Sequence, residues 1–286
     1  QRALIHLGGV VHDDGLVSVL GVHADQYMLL AMKPSRKDSP AFRDAAHRSA
    51  AALAFTQVAR LYDDIRPTYP ASVGELLDSP ATVADIGCGT GKLTETLLSP
   101  GRRVLACDPS DDMVRVFATR LPEVPVWRAT AEATALADAS VDALTCAQTW
   151  HWVDVRAASS EADRVIAPGG ELLLCWNTLD VRHPWVLRLS RIMHSGDVQR
   201  DGFYPEVNPP WALAREHRET WLMPMSTDGL FQLMATRSYW LRASEATRAK
   251  MRANLTWYLY ERLGFDPGQV LPLPYRTDAF IYRRQR

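Results

Sequence analysis

The chain has 286 residues, 47% hydrophobic and 23% charged, with 32 Lys and Arg against 33 Asp and Glu. That length suits one α/β domain with an elaboration or two small domains, and the composition excludes wholesale disorder. A formal net charge of -1 sets up no overall field to concentrate nucleic acid or anionic lipid, so a small, locally recognised partner is expected.

Gln1 is not a natural initiator, and the apolar stretch over 15–32 is interrupted by His23, Asp25 and Gln26. It fits neither a signal peptide nor a membrane span. Residues 1–40 are expected to be a tail or linker, partly a misplaced gene start with Met28 or Met32 as the initiator. KPSRKDSP has a linker's composition. One domain is expected over 41–286, and a cytoplasmic location for the whole.

From residue 41 the pattern alternates helix-like stretches with short apolar runs and contains no internal repeat. A helix is predicted over 41–62, closed by RPTYP, where Pro67 and Pro70 enforce an extended path. A short helix over 71–77 follows. TVADI (82–86), RVLAC (103–107), VPVWR (124–128), VDALTC (141–146) and ELLLCW (171–176) then recur at intervals of about 17 to 30 residues, the rhythm of parallel strands joined by helices. Before the fifth run a helix is predicted to start at Asp154 as N-cap and to stop by Pro168-Gly169-Gly170. Between 180 and 265 the rhythm changes to helix-forming sequence rich in tryptophan, with a capped start at Ser244 and a strand near 219–225. The tail LPYRTDAFIYRR alternates like an edge strand.

Cys88, Cys107, Cys146 and Cys175 form no C-x-x-C pair and lie in or beside strand-like runs, so buried reduced thiols are expected. The eight histidines are scattered without ligand spacing, and no metal is expected.

The stretch ADIGCGTGKL sets Asp85, Gly87, Gly89 and Gly91 between the first strand and the next helix, where missing β-carbons let a ligand approach the backbone. A dinucleotide fingerprint starting at Gly87 needs glycine where Lys92 stands, which disfavours a nicotinamide oxidoreductase. A phosphate loop needs glycine at Ile86 and a hydroxyl at Leu93. What remains is acid-x-G-x-G-x-G followed by Asp108 at the end of the next strand, a carboxylate that can accept two ribose hydroxyls or cap the helix beyond Pro109.

These motifs, VADIGCGTG, ACDPS, ATAEATALADASVDAL and VIAPGGELLL, resemble in order those of the class I S-adenosylmethionine-dependent methyltransferases. YDDIRPTYP, AQTWHWVD, ATRSYW and LPYRTDAF resemble the subgroup related to trans-aconitate methyltransferase, and the likeness covers roughly residues 55 to 286. It implies an α/β fold, a Rossmann-like three-layer sandwich whose seven-stranded, mostly parallel sheet ends in an antiparallel strand beside the fifth. It also implies a helical lid, a substrate-covering insertion over 180–265, and S-adenosyl-L-methionine as cofactor.

Carried over residue by residue, the resemblance gives Gly87, Gly89 and Gly91 the close approach to the cofactor, with Asp85 ordering the loop and reaching toward its amino-acid end. Asp108 takes the ribose hydroxyls, Pro109 and Met113 flank the adenine, Ala131 and Glu132 meet its polar edge, and Gln148 sits near the methionine part. Glu132 reads equally as a solvated residue at a helix start. Tyr62 and Arg66 fold over the cofactor, Arg66 clamping a carboxylate or pairing with Asp63 or Asp64 at the surface.

CAQTWHWVD (146–154) leaves the fourth strand at the end where such sheets bind ligands. Trp150 or Trp152 can wall the methyl donor or acceptor, since aromatic faces favour a sulfonium, and His151 is the group suited to take a proton near neutrality. The alternative has both tryptophans packed on the next helix and His151 bonded to backbone. Arg237, Tyr239 and Trp240 are expected to line the acceptor side as an apolar surface with one basic contact.

The reading that follows is a methyltransferase acting on a small organic molecule, at oxygen, with neither nucleic acid nor membrane as partner. A cofactor-binding sensor or non-methylating scaffold is the alternative. Neither the acceptor nor the oligomeric state is legible.

Overall fold

Residues 59–195, 198–200 and 202–285 are described by the structure, a computed structural model. The expected tail over 1–40, and the expected helix up to residue 58, lie outside them. In chain order the elements are α1 (Ala59–Ile65), α2 (Ala71–Glu75), β1 (Thr82–Ile86), α3 (Thr94–Leu97), β2 (Arg103–Asp108), α4 (Asp111–Arg120), β3 (Val126–Arg128) and β4 (Val141–Ala147). A 3-10 turn (Trp150–Trp152), α5 (Val155–Val165), β5 (Ile166–Leu179), α6 (Pro184–Ile192) and β6 (Trp211–Ser226) follow. The chain closes with α7 (Thr227–Ala235), α8 (Ser238–Arg242), α9 (Glu245–Thr256), a π-helical turn (Trp257–Arg262) and β7 (Val270–Arg284).

One seven-stranded sheet runs in the order β3-β2-β1-β4-β5-β7-β6. The first five strands are parallel, and β7 lies antiparallel to both β5 and β6. Strands covered on both faces read as continuous apolar runs, which is why they were legible as VADI, VLAC and ALTC. Their alternating side chains feed two separate cores. Leu172, Leu174 and Trp176 join Ile86, Leu105, Leu144 and Phe280 under Ala158, Ala162 and Val165 of α5. Leu173 and Cys175 join Val83, Val104, Ala143 and Ile281 beneath Val73, Leu97 and Phe117 of α2, α3 and α4. Each fully buried leucine contributes about 1.5–3 kcal/mol. The result is the expected three-layer sandwich.

Local signals start the helices where expected. Asp154 caps α5 by accepting from Ala157 N, and Ser244 caps α9 by accepting from Thr247 N. The turn expected at Pro168-Gly169-Gly170 is a bulge within β5: pairing jumps from Val141–Ile166 to Ala143–Glu171, with Gly169 at φ 84°. All four cysteines are buried free thiols.

Two expectations are corrected. The tail is an interior strand rather than an edge, because β6 covers its outer side from Trp211 to Ser226. Its polar residues are tolerated inside the sheet because Asp278, fully buried, accepts from Arg276 and lies 3.2 Å from Arg218. The second concerns 180–265, where the strand expected near 219–225 spans sixteen residues. Its charges, AREHRET, hid it: on an outermost strand Arg215 and Glu216 are exposed and deter pairing with another chain, while Arg218 turns back to Asp278. Among the described residues no helix is long and apolar enough to cross a membrane.

Candidate active site

The chain winds outward from β1 through β2 to β3, then crosses back to β4 and β5, so the switch point lies between β1 and β4. Ligands of such sheets bind outside the carboxyl ends there. Gly87, Gly89 and Gly91 leave the end of β1 with φ of 65°, 56° and 90°, a region where a side chain is strained. They differ in surroundings. A β-carbon on Gly87 would lie 2.3 Å from Thr149 Cγ2, and one on Gly91 would lie 2.8 Å from Leu121 Cδ1, whereas one on Gly89 meets nothing within 4 Å. Two of the glycines are therefore required by packing, and Gly89 alone opens onto free space.

Backbone bonds hold the loop. Gly87 N and Cys88 N both donate to Cys107 O, at 2.8 and 3.1 Å, tying the turn to β2. Thr149 Oγ1 donates to Gly87 O at 3.1 Å, tying it to the segment after β4. Asp85 is fully buried and accepts from Thr94 Oγ1 at 2.6 Å and Thr145 Oγ1 at 3.0 Å. Burial raises its carboxyl from the ordinary 3.8 to about 7, against the opposing effect of both threonine bonds. Asp85 thus ties the end of β1 to β4 and to the start of α3.

Asp108, at the end of β2, accepts from Gly89 N through Oδ2 at 2.9 Å and from Ser110 N through Oδ1 at 2.8 Å. Burial raises its carboxyl above the usual range, the two N–H donors partly offsetting it. The cap of α4 is Ser110, which accepts from Met113 N, so Asp108 is not the cap. Met113 and Ala131 are buried and Pro109 is exposed. Glu132 is half-buried and accepts from Asp154 N at 2.8 Å, which links the β3–β4 connection to the start of α5.

Gln148 has φ 52°. Its backbone N–H donates to Cys175 O at 3.0 Å and its Nε2 donates to Asn177 O. Its Oε1 is buried with no hydrogen-bond partner among the described residues. Asn177 extends this polar chain, donating to Thr68 O at 2.9 Å and accepting from Thr277 Oγ1 at 2.6 Å.

Trp150 is 3% exposed, donates to Glu206 O at 2.8 Å and belongs to the core, so it walls no ligand. Trp152 and His151 are half-buried, their rings 5.0 Å apart. Trp176 Nε1 donates to His151 Nδ1 at 3.1 Å, a contact invisible in the sequence because the two stand 25 positions apart.

Arg66 Nε donates to Thr236 Oγ1 at 2.9 Å, and its guanidinium lies 5.3 Å from the Tyr62 ring. Asp63 meets Lys92, whose Nζ donates to Asp63 O at 2.6 Å and lies 3.6 Å from Asp63 Oδ1, and Arg120, also 3.6 Å from Oδ1. The Lys92 contact joins α1 to the glycine loop. Thr236 adjoins Arg237, which is 3% exposed. Tyr239 stacks on His194 at 4.0 Å, and Trp240 is buried beneath Arg248 and Arg252. Trp240 is thus a packing residue rather than a surface for an acceptor. The structure brings Gly89, Asp108, Gln148 and His151 to the carboxyl ends of β1, β2 and β4. Thr94 and Thr145 hold Asp85, Asn177 holds Gln148 and Trp176 meets His151, and sequence reasoning missed all four, since none of them stands in a recognisable motif.

A glycine turn and a buried acid at the switch point of an open α/β sheet define a domain that binds a nucleoside cofactor. A methyltransferase-domain family profile matches residues 84–174. The uncharacterized methyltransferase Rv3342 of Mycobacterium tuberculosis is 38% identical over 229 residues, covering 79% of this chain and 93% of that protein. A malonyl-[acyl-carrier protein] O-methyltransferase of Hahella chejuensis is 34% identical over 142 residues, 46% of this chain and 50% of that one. A solved structure from Anaeromyxobacter dehalogenans, assigned as a type II methyltransferase, is 26% identical with a TM-score of 0.55, covering 76% of this chain and 96% of the other. The chain belongs to the class I S-adenosylmethionine-dependent methyltransferases, and S-adenosyl-L-methionine is its cofactor.

The residues fit that group. Open space above Gly89 admits it against the backbone, and the unpartnered Gln148 Oε1 suits a donor such as its ammonium. Among the described residues no group of three His, Cys, Asp or Glu could hold a metal ion.

Proposed function

We propose that this protein transfers a methyl group to an oxygen, carboxylate or hydroxyl, of a small organic molecule, and that it is of the subgroup related to trans-aconitate methyltransferase. The observation that carries this is Gly89, the one glycine of its loop with open space where a β-carbon would stand, its N–H held by the Asp108 carboxylate, together with the buried, unpartnered Gln148 Oε1 at the end of β4. The similarity to a protein named as an O-methyltransferase supports oxygen as the acceptor.

When bound, the cofactor supplies an electrophilic methyl on a cationic sulfur. The chain's residues do the rest. Gly87, Gly89 and Gly91 give backbone contact, with Asp85 holding their turn rather than reaching the ligand. Asp108 accepts the ribose hydroxyls while keeping its bonds to Gly89 and Ser110, since a carboxylate has lone pairs for both. Pro109, Met113, Ala131 and Glu132 border the base. Gln148 accepts from the amino-acid end, and Tyr62 and Arg66 close over it, Arg66 anchored at Thr236.

On the acceptor side stand His151 and Trp152, with Arg237 and Tyr239 from the helical part of 180–265, which covers the substrate. Transfer needs the acceptor oxygen in line with the S–C bond and water kept out. The partly buried Trp152 ring favours developing or vanishing positive charge nearby. A near-neutral chain without a basic stripe favours a small acceptor over nucleic acid, and four unpaired thiols favour the cytoplasm.

The test is calorimetry with S-adenosylmethionine and its demethylated product, followed by donor turnover on a panel of mono- and dicarboxylates, alcohols and phenols. Methyl esters or ethers are the expected products. Cofactor binding without turnover on any acceptor class would point to a sensor, and N- or C-methylation would overturn the oxygen assignment.

A further inference from the structure

We infer that Lys92 and Asn177 are positioning residues for the cofactor: they pin opposite ends of the segment 63–68, so that it crosses the carboxyl ends of β1, β4 and β5 as a roof over the switch point. The inference rests on the covering role proposed for Tyr62 and Arg66, and it names what holds that cover in place.

One anchor stands at the end of the glycine loop. Lys92 is 9% exposed, and its Nζ donates to Asp63 O at 2.6 Å, in the last turn of α1. A dinucleotide fingerprint would place glycine here, with no side chain to reach α1. The other anchor stands on β5. Asn177 is 3% exposed and lies two residues beyond Cys175, the last residue of β5 paired with β4. Its Nδ2 donates to Thr68 O at 2.9 Å. A carbonyl can only accept and an indole nitrogen can only donate, which fixes the direction of the whole chain. Trp221 Nε1 donates to Thr277 Oγ1 at 2.9 Å, and the Thr277 hydroxyl donates to Asn177 Oδ1 at 2.6 Å, so the amide presents its N–H side to Thr68.

β4 lies between β1 and β5 in the sheet, and all three are parallel. A segment tied at 63 to the loop after β1 and at 68 to β5 therefore passes the carboxyl end of β4, where Gln148 begins the next loop. Two strand spacings are about 10 Å, and five residue steps reach at most roughly 17 Å, so the crossing leaves little slack. Tyr69, the next residue, is 9% exposed and joins the core cluster that contains Cys88 of the glycine loop, Ala147 of β4 and Cys175 of β5, as a chain crossing those elements must. In the middle, Arg66 donates to Thr236 at the end of α7, which ties the same segment to the insertion. Lys92 and Asn177 have different partners but act through one stretch of chain, so releasing either end frees the same few residues.

The test is a double-mutant cycle on S-adenosylhomocysteine affinity, read by calorimetry, with Lys92→Met and Asn177→Leu. Each single variant should weaken binding by about tenfold, the scale of one hydrogen bond. Because one anchor holds little once the other is lost, the double variant should also lose about tenfold, whereas residues acting independently would multiply to about 100-fold. On the acceptor of the panel above that is turned over fastest, KM for S-adenosylmethionine should rise by about the same factor of ten with kcat within about twofold; general loss of structure would instead lower kcat and Tm together. Lys92→Arg, which keeps a cationic donor, should bind within about threefold of the wild type. Hydrogen exchange over 62–69 should slow on adding S-adenosylhomocysteine in the wild type and in Lys92→Arg, and much less in Lys92→Met. If Asn177→Leu does not fold, this comparison at Lys92 decides alone. Affinity within about twofold of the wild type in a folded single variant, a multiplicative loss in the double variant, or equal slowing of exchange in Lys92→Met would overturn the inference. A wild type that shows the coupling yet methylates no oxygen would sink the proposed function and leave the two anchors standing.

Discussion

Replacing Gly89 with alanine separates a glycine kept for a ligand from glycines kept for packing. The residue sits at φ 56° with no atom within 4 Å of an added β-carbon. The only folding penalty is therefore the left-handed backbone, about 1–2 kcal/mol for a non-glycine residue. For a domain of this size that lowers Tm by roughly 2–8 °C. Gly87→Ala adds to the same strain a methyl 2.3 Å from Thr149 Cγ2, and Gly91→Ala places one 2.8 Å from Leu121. Forced overpacking of that kind costs a further 1–3 kcal/mol or so. Binding is expected to rank the other way. The Gly89 methyl projects into the space assigned to the cofactor and should weaken S-adenosylhomocysteine by at least about tenfold, equivalent to roughly 1.4 kcal/mol. Thermal unfolding with and without S-adenosylhomocysteine, together with titration calorimetry, reads both quantities on one sample. A Gly89→Ala protein that binds the product as tightly as the wild type would refute the cradle.

Asp108→Ala removes the acceptor of Gly89 N–H and the ribose contact together, so product affinity should fall by on the order of 100-fold, two charge-assisted hydrogen bonds' worth; calorimetry showing less than a threefold change would remove Asp108 from the site. Asp85 titrates near 7 in the folded chain and near 3.8 when unfolded, so between those values the folded state holds the extra proton. Its contribution to stability, at most about 4 kcal/mol, is complete below pH 3.8 and lost as pH rises to 7. Denaturant unfolding of Asp85→Asn across pH 4 to 8 should therefore lack a decline that the wild type shows, and parallel profiles would contradict the assignment. Dialysis against EDTA should leave donor turnover unchanged, because the described residues group no metal-binding set; a rate restored only by added divalent ion would show otherwise.

The legible parts of this molecule are those whose physics is local. Runs such as VADIG and VLACD announce parallel strands because both faces are covered. Three glycines within five residues announce a turn that L side chains cannot follow, and Asp154 and Ser244 announce helix starts because their side chains cap their own backbone. The acid at Asp108 was legible because motif spacing brings it to the end of β2.

Partners across the sheet were not legible. The alternating tail looked like an edge, and only the pairing of β6 onto β7 made it interior. Trp176 read as the last residue of an apolar run, and only the sheet register turned its indole toward His151. The chain by itself therefore determined the strand order's raw material and the cofactor loop, whose shape depends on backbone freedom at single positions. Tertiary structure decided which glycine is open, which carboxylate is buried and what the imidazole meets, because each depends on atoms that only folding brings within a few ångströms.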